Sequence, residues 1–208
     1  ISVINICKYL QKQGFEVTYV PVDKQGMVDP EKLEEAINDK TILISVMYAN
    51  GEIGTIQPIR KIGKLAQENK VIFHVDAVAA AGQVPINVKE ENIDLLSLSS
   101  NDMYGPKGVG ALYIKAGTKI QPIIQGGGQE RGLRSGTENI PGIVGMGKAA
   151  EIGKREMEAE GKRLTALRDK LIKGVLDKID SSFLNGHPTK RLPGNANLRF
   201  SYIEGESL

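Results

Sequence analysis

The chain has 208 residues, 40% hydrophobic and 25% charged, which suits one globular domain or one domain plus part of another. With 27 Lys and Arg against 25 Asp and Glu, the net charge is +2, so nothing in the charge points to nucleic acid or an anionic membrane surface. The longest apolar runs fall short of a membrane span and no signal or transit pattern is visible, so a cytoplasmic setting is expected.

Apolar residues at Val3, Ile4, Ile6 and Leu10 predict a helix over 1–13, closed by Gly14. Cys7, the only cysteine, is expected to pack in that helix as a small hydrophobe. One thiol with His74 and His187 supports neither an intrachain disulfide nor a zinc site, and no metal is expected. Phe15–Val22 is rich in Val and Tyr and reads as a strand. Asp29-Pro30 places a capping carboxylate before proline and opens a helix to about Asn38. Thr41–Ala49 reads as a buried strand, Pro58–Asn69 as a helix, Val71–Val78 as a strand and Leu95–Ser99 as another. A Gly-Pro-Lys-Gly bend at 105–108 leads into a strand over 110–116. Residues 140–179 are mostly helical, and the helix can break near Gly161. Phe183–Leu184 and Ala196–Ile203 read as strands of a second, smaller unit.

Strand and helix alternate, and the strands are continuous apolar runs. The expected fold class is therefore α/β, a mainly parallel sheet flanked by helices on both faces, followed by the start of a smaller α+β domain. In such sheets ligands sit at the carboxyl ends of the strands. The polar residues Asn50, Asp76 and Ser99 to Asp102 fall there.

Four segments carry the chemistry. They are Tyr48-Ala49-Asn50-Gly51-Glu52-Ile53-Gly54, His74-Val75-Asp76-Ala77, the loop at 97–108, and the Gly- and Arg-rich run from Gly126 to Asn139 with Arg131-Gly132-Leu133-Arg134-Ser135-Gly136-Thr137 at its centre. In order and spacing they resemble the NifS/IscS-type cysteine desulfurases of the class V aminotransferases, and the resemblance extends over essentially the whole chain. It implies the pyridoxal 5'-phosphate (PLP) fold of type I. Residues 1–154 would belong to the large cofactor-binding domain, and 155–208 would be a linking helix and an incomplete small domain.

The resemblance assigns roles residue by residue. Asp76 would keep the pyridine nitrogen protonated, which makes the ring an electron sink. Asn50 would contact the ring's hydroxyl side, and Ser99 and Asn101 the phosphate. Thr137 would reach the phosphate of a neighbouring subunit, so the loop at 126–139, with Arg131 and Arg134 as scaffold, would be a homodimer element. Read alone, Asp76 is also a strand-end cap, Asn50 a turn former and Arg131 and Arg134 a solvated basic loop. His74 reads as a satisfied structural histidine. The implied activity is sulfur mobilisation from L-cysteine for iron–sulfur cluster assembly, with a cluster scaffold protein as partner. Alternatives are a non-enzymatic scaffold relative, or another class V enzyme such as a selenocysteine lyase.

The chain departs from the family pattern at the centre of the loop. Asp102 stands where the family has the lysine that holds PLP as a Schiff base. Asn101 replaces a phosphate-binding histidine, Ser100 a glycine, and Ala79 a glutamine. A carboxylate cannot form that bond, so the cofactor would be held non-covalently. Lys107 matches the family's second lysine, which is not the bond former. Ile1 lies inside a helical pattern and Leu208 where a new element starts, so a piece of a longer protein is expected. On this alignment the persulfide cysteine and the substrate-binding arginine would follow Leu208.

Overall fold

Along Ile72–Asp76 the side chains alternate, with Phe73 and Val75 fully enclosed and Ile72, His74 and Asp76 half-buried. The enclosed pair faces Ile59, Ile62, Leu65 and Ala66, the apolar stripe of the helix over Ile59–Glu68. Each such side chain contributes about 1.5–3 kcal/mol by leaving water, so this strand and helix form the centre of the core. The structure, a computed structural model, describes residues 1–207.

In chain order the helices are α1 (Ser2–Lys12), α2 (Pro30–Glu35), α3 (Ile59–Glu68) and α4 (Ile140–Leu176), and the strands are β1 (Leu43–Met47), β2 (Ile72–Asp76), β3 (Leu95–Ser99), β4 (Gly110–Ile114), β5 (Ser182–Leu184) and β6 (Leu198–Phe200). The main sheet has the order β1-β2-β3-β4. β1, β2 and β3 run parallel, and β4 is antiparallel to β3. The β1–α3–β2 crossover supplies the length a parallel pair needs, whereas the short loop after Ser99 returns the chain antiparallel. The sheet is thus mainly parallel and flanked by helices. β5 and β6 form a separate antiparallel pair. Among the described residues no helix is long and apolar enough to cross a membrane.

Several local expectations need correction. Among the described residues Phe15–Val22 forms no ladder, and its only pairing is an isolated contact of Val22 with Val28. Propensity supplies one side of a strand, and here no second strand lies beside it. β1 is not buried on both faces: it is the edge of the sheet, with Leu43, Ser45 and Met47 exposed and only Ile44 enclosed. α1 encloses none of its residues, and Cys7 is half-buried.

α4 runs 37 residues without a break at Gly161. Asn139 Oδ1 caps it by accepting from the Gly142 N–H at 3.2 Å, with Pro141 in the first turn. The helix passes straight through position 154. It also approaches the 100–106 loop closely because its small residues allow it. A Cβ on Gly145 would meet the Pro106 ring, Ala149 lies against Gly105, and Gly153 lies over Gly82. The 145, 149 and 153 spacing places all three on one helix face.

Candidate functional site

The parallel strands end on one edge, and the register fixes their relation. Asp76 pairs with Met47 of β1 and Ser97 of β3. The Tyr48 N–H donates to the Asp76 carbonyl at 2.7 Å, continuing the ladder one step past β1. Asp76 Oδ1 accepts from the Val78 N–H at 3.0 Å, a local turn that orients the carboxylate. Beneath it, His74 sits between two hydroxyls, Nδ1 at 2.8 Å from Ser45 Oγ and Nε2 at 2.9 Å from Ser97 Oγ. Burial pushes the imidazole pKa down, opposed by the Asp76 charge. With both ring nitrogens engaged, His74 is a satisfied structural residue.

Asn50 lies just beyond β1. Its Oδ1 accepts from the N–H groups of Glu52 and Ile53 at 2.9 and 3.0 Å. Among the described residues its Nδ2 has only Met47 Sδ, at 3.4 Å, a weak acceptor. The turn-forming role of Asn-Gly is realised.

The loop after β3 has a buried root and an open tip. Ser99 is half-buried and opposite Gly110. Ser100 is fully enclosed, and its Oγ has no hydrogen-bond partner. Asn101 and Asp102 are exposed on a short 3-10 turn that ends at Tyr104, whose φ is 61° and whose side chain is 97% exposed. Lys107 is exposed beyond Pro106.

Asp102 lines a cleft of about 720 Å³ together with Gly51, Ala79 and Asn195, and with Glu156, Glu160 and Arg163 of α4. Arg163 is paired with Glu160 at 2.7 Å. Asn50, Asp76 and Ser99 do not line this cleft; Asn50 adjoins it through Gly51, while Asp76 and Ser99 each stand three residues before a lining residue, Ala79 and Asp102.

Thr137 does not line the cleft. It is exposed in the Gly-rich loop, whose shape is held by the Gly136 N–H donating to Gln129 Oε1 at 3.0 Å and by Arg134 Nη1 donating to the Ser135 carbonyl. Arg131 is exposed at φ 58°. Among the described residues no hydrogen bond joins Thr137 to Asn50, Asp76 or Ser99.

The sequence reading missed one group altogether. Arg191 is 3% exposed, and with Asn195 and Asn197 it contacts the loop that carries Asn50. Arg-Leu-Pro-Gly-Asn-Ala-Asn at 191–197 reads as an ordinary polar turn; only the Leu192-Pro193 that follow the arginine hint at burial.

A family model described as "Aminotransferase class-V" matches residues 1–208. A cysteine desulfurase IscS of Methanosarcina thermophila is 60% identical over 207 residues, spanning 100% of this chain and 51% of that protein. Cysteine desulfurase IscS 1 of Archaeoglobus fulgidus is likewise 60% identical, over 208 residues, with 54% of its length covered. The solved structure of a NifS-like protein superposes with a TM-score of 0.94 at 42% identity, over 99% of this chain and 56% of that one. The chain spans about half the length of the curated relatives it matches.

Proposed function

Because this chain belongs to the class V aminotransferase family, we propose that it is part of a PLP-binding cysteine desulfurase that takes sulfur from L-cysteine for iron–sulfur cluster assembly. The observation that carries this reading is the meeting of Asn50, Asp76 and Ser99 at one edge of the parallel sheet, beside a cleft entered by Asp102. It is supported by 60% identity to proteins named cysteine desulfurase.

The donor set suits the cofactor. Asp76 offers a half-buried carboxylate at a strand end, able to hold a proton on a pyridine nitrogen. Asn50 offers Nδ2 to a ring oxygen, and Ser99 and Asn101 offer neutral donors to a phosphate. Bound PLP would supply an electron sink for cleavage at the substrate carbons. The set does not suit covalent attachment, because position 102 is a carboxylate; Asp102, exposed beside the cleft, is left to accept and return a proton. In a homodimer, Thr137 of the partner subunit would complete the phosphate site, which accounts for its isolation within one chain. A cluster scaffold protein would receive the sulfur. The residues to 154 would form the cofactor domain and those from 155 the start of a smaller one.

The carboxylate at 102 also favours a second reading, a non-enzymatic relative that docks cluster-assembly partners. Full-length protein supplied with PLP and cysteine separates the two. Alanine and sulfide release above that of free PLP is expected; release no greater than free PLP overturns the enzymatic reading and leaves the scaffold.

A further inference from the structure

Four successive carbonyls of the Asn50 loop are taken by one remote segment. Asn195 Nδ2 donates to the Gly51 and Glu52 carbonyls, both at 2.9 Å. Asn197 Nδ2 adds a second bond to Glu52 at 3.1 Å. Arg191 Nη2 donates to the Ile53 carbonyl at 3.1 Å, and the Leu192 N–H to Gly54 at 2.9 Å. With the carbonyls committed to residues 191–197, the Glu52 and Ile53 N–H groups are left to Asn50 Oδ1.

The segment is itself braced. The Arg191 guanidinium donates to the carbonyls of Asn185, His187, Ile53 and Asn195 and to Asn195 Oδ1, with no carboxylate among its hydrogen-bond partners in the described residues. Such a charge is kept in place by oriented carbonyl dipoles, and a shorter side chain cannot reproduce the fork. Thr55, fully enclosed, accepts from the His187 N–H at 2.9 Å and donates to the Gln25 carbonyl at 2.6 Å. Gly54 has φ 78°, and a Cβ there would come within 2.5 Å of Asn195 Oδ1, so the loop fits the clamp only as glycine.

This arrangement has a directional consequence. Asn50 Oδ1 is bound to the loop, so its amide plane is fixed and Nδ2 can point only one way. We propose that Arg191 and Asn195 are positioning residues for Asn50, through which the 191–197 segment aims Nδ2 at a ring oxygen of bound PLP. The proposal rests on the cofactor reading above. Neither residue touches the cofactor in this scheme; they act through the loop carbonyls.

The test uses full-length protein carrying Asn195→Ala, Arg191→Lys, or no change, each with and without Asn50→Ala. Asn195 is only half-buried, so its variant keeps the test open if the Arg191 variant fails to fold. Two readouts are taken. In Asn195→Ala, amide hydrogen exchange at Glu52 and Ile53 is expected to quicken about tenfold, the effect of losing one or two bonds to a constrained loop, while Phe73 and Val75 stay protected. PLP affinity, followed by absorbance titration, is expected to fall about tenfold, and that fall is expected to vanish when Asn50 is already alanine. Unchanged exchange at Glu52 and Ile53, or an equal loss of affinity in both backgrounds, overturns the proposal. If unmodified protein takes up no PLP, the cofactor reading fails on its own, and the exchange measurement still decides whether the clamp sets the Asn50 loop.

Discussion

Ser100 Oγ occupies the space into which a Cβ on Gly105 would project. The hydroxyl is fully enclosed and unpartnered, and leaving a buried polar group unmatched costs about 1–3 kcal/mol. Ser100→Ala is therefore expected to raise stability by about 1 kcal/mol, read as a higher midpoint in urea with an unchanged slope. Gly105→Ala is expected to lose about 1–3 kcal/mol by overpacking, since Ala149 Cβ and the Ser100 carbonyl also lie within 3.1 and 3.2 Å of the new methyl. The double variant is expected to cost less than the two single effects added together, because removing the hydroxyl clears the nearest clash. Additivity would mean that the loop root is more open than described.

His74 predicts a pH dependence of stability. Burial holds its folded-state pKa below the ordinary 6.5. Above that value both folded and unfolded states carry neutral imidazole, and the contribution of His74 is complete. As pH falls below it, the unfolded state takes up its proton first, and stability declines until the folded-state pKa is passed. The thermal midpoint is expected to drop between pH 7 and 5, and His74→Gln is expected to flatten that drop while lowering the midpoint at pH 7. An unchanged slope in the variant would assign the titration to another group.

Gly161 was the residue most open to misreading. A glycine in a long charged helix suggests a break, yet α4 runs through it, because helical φ/ψ needs no side chain. A Cβ there would meet only Pro193 Cγ at 3.9 Å, an ordinary contact. Gly161→Ala is expected to stabilise by about 0.5–1 kcal/mol, mostly by restricting the unfolded chain. A loss of stability would show that α4 needs flexibility at this point.

How much was legible follows from what each residue depends on. β3, Leu95–Ser99, could be read to the residue because its apolar run is bounded by polar turns on both sides. α2 was readable from Asp29-Pro30, whose carboxylate does accept from the Glu31 N–H at 3.0 Å. Phe15–Val22 was not, because strand status belongs to a partner that local sequence does not contain. The two faces of Asn50, one bound to its own turn and one free, needed the loop geometry. The Arg191 clamp links positions 138 or more residues apart, and no local periodicity encodes such a contact. The placement of the strand-end residues was legible because parallel topology alone sends Asn50, Asp76 and Ser99 to one edge.

Position 102 gives the sharpest test of the cofactor reading. Asp102 is exposed at the mouth of the cleft, on a turn held at its root by the Ser100 carbonyl, which accepts from the N–H groups of Met103 and Gly105 at 3.1 and 2.9 Å. A lysine placed there has open space for its chain and needs no backbone change. In Asp102→Lys, an amine replaces a negative charge beside an anionic cofactor. Repulsion of about 1 kcal/mol at 4 Å in water, and about 4 kcal/mol at an intermediate effective dielectric, becomes attraction. The variant is expected to retain PLP through gel filtration and to show a borohydride-trapped mass increment on the peptide holding residue 102. Asp102→Asn separates charge from bonding: tighter non-covalent uptake with no trapped increment is expected. If Asp102→Lys gives neither a retained cofactor nor a trapped peptide, the 97–108 loop is not the cofactor loop, and the roles of Ser99 and Asn101 fall with it.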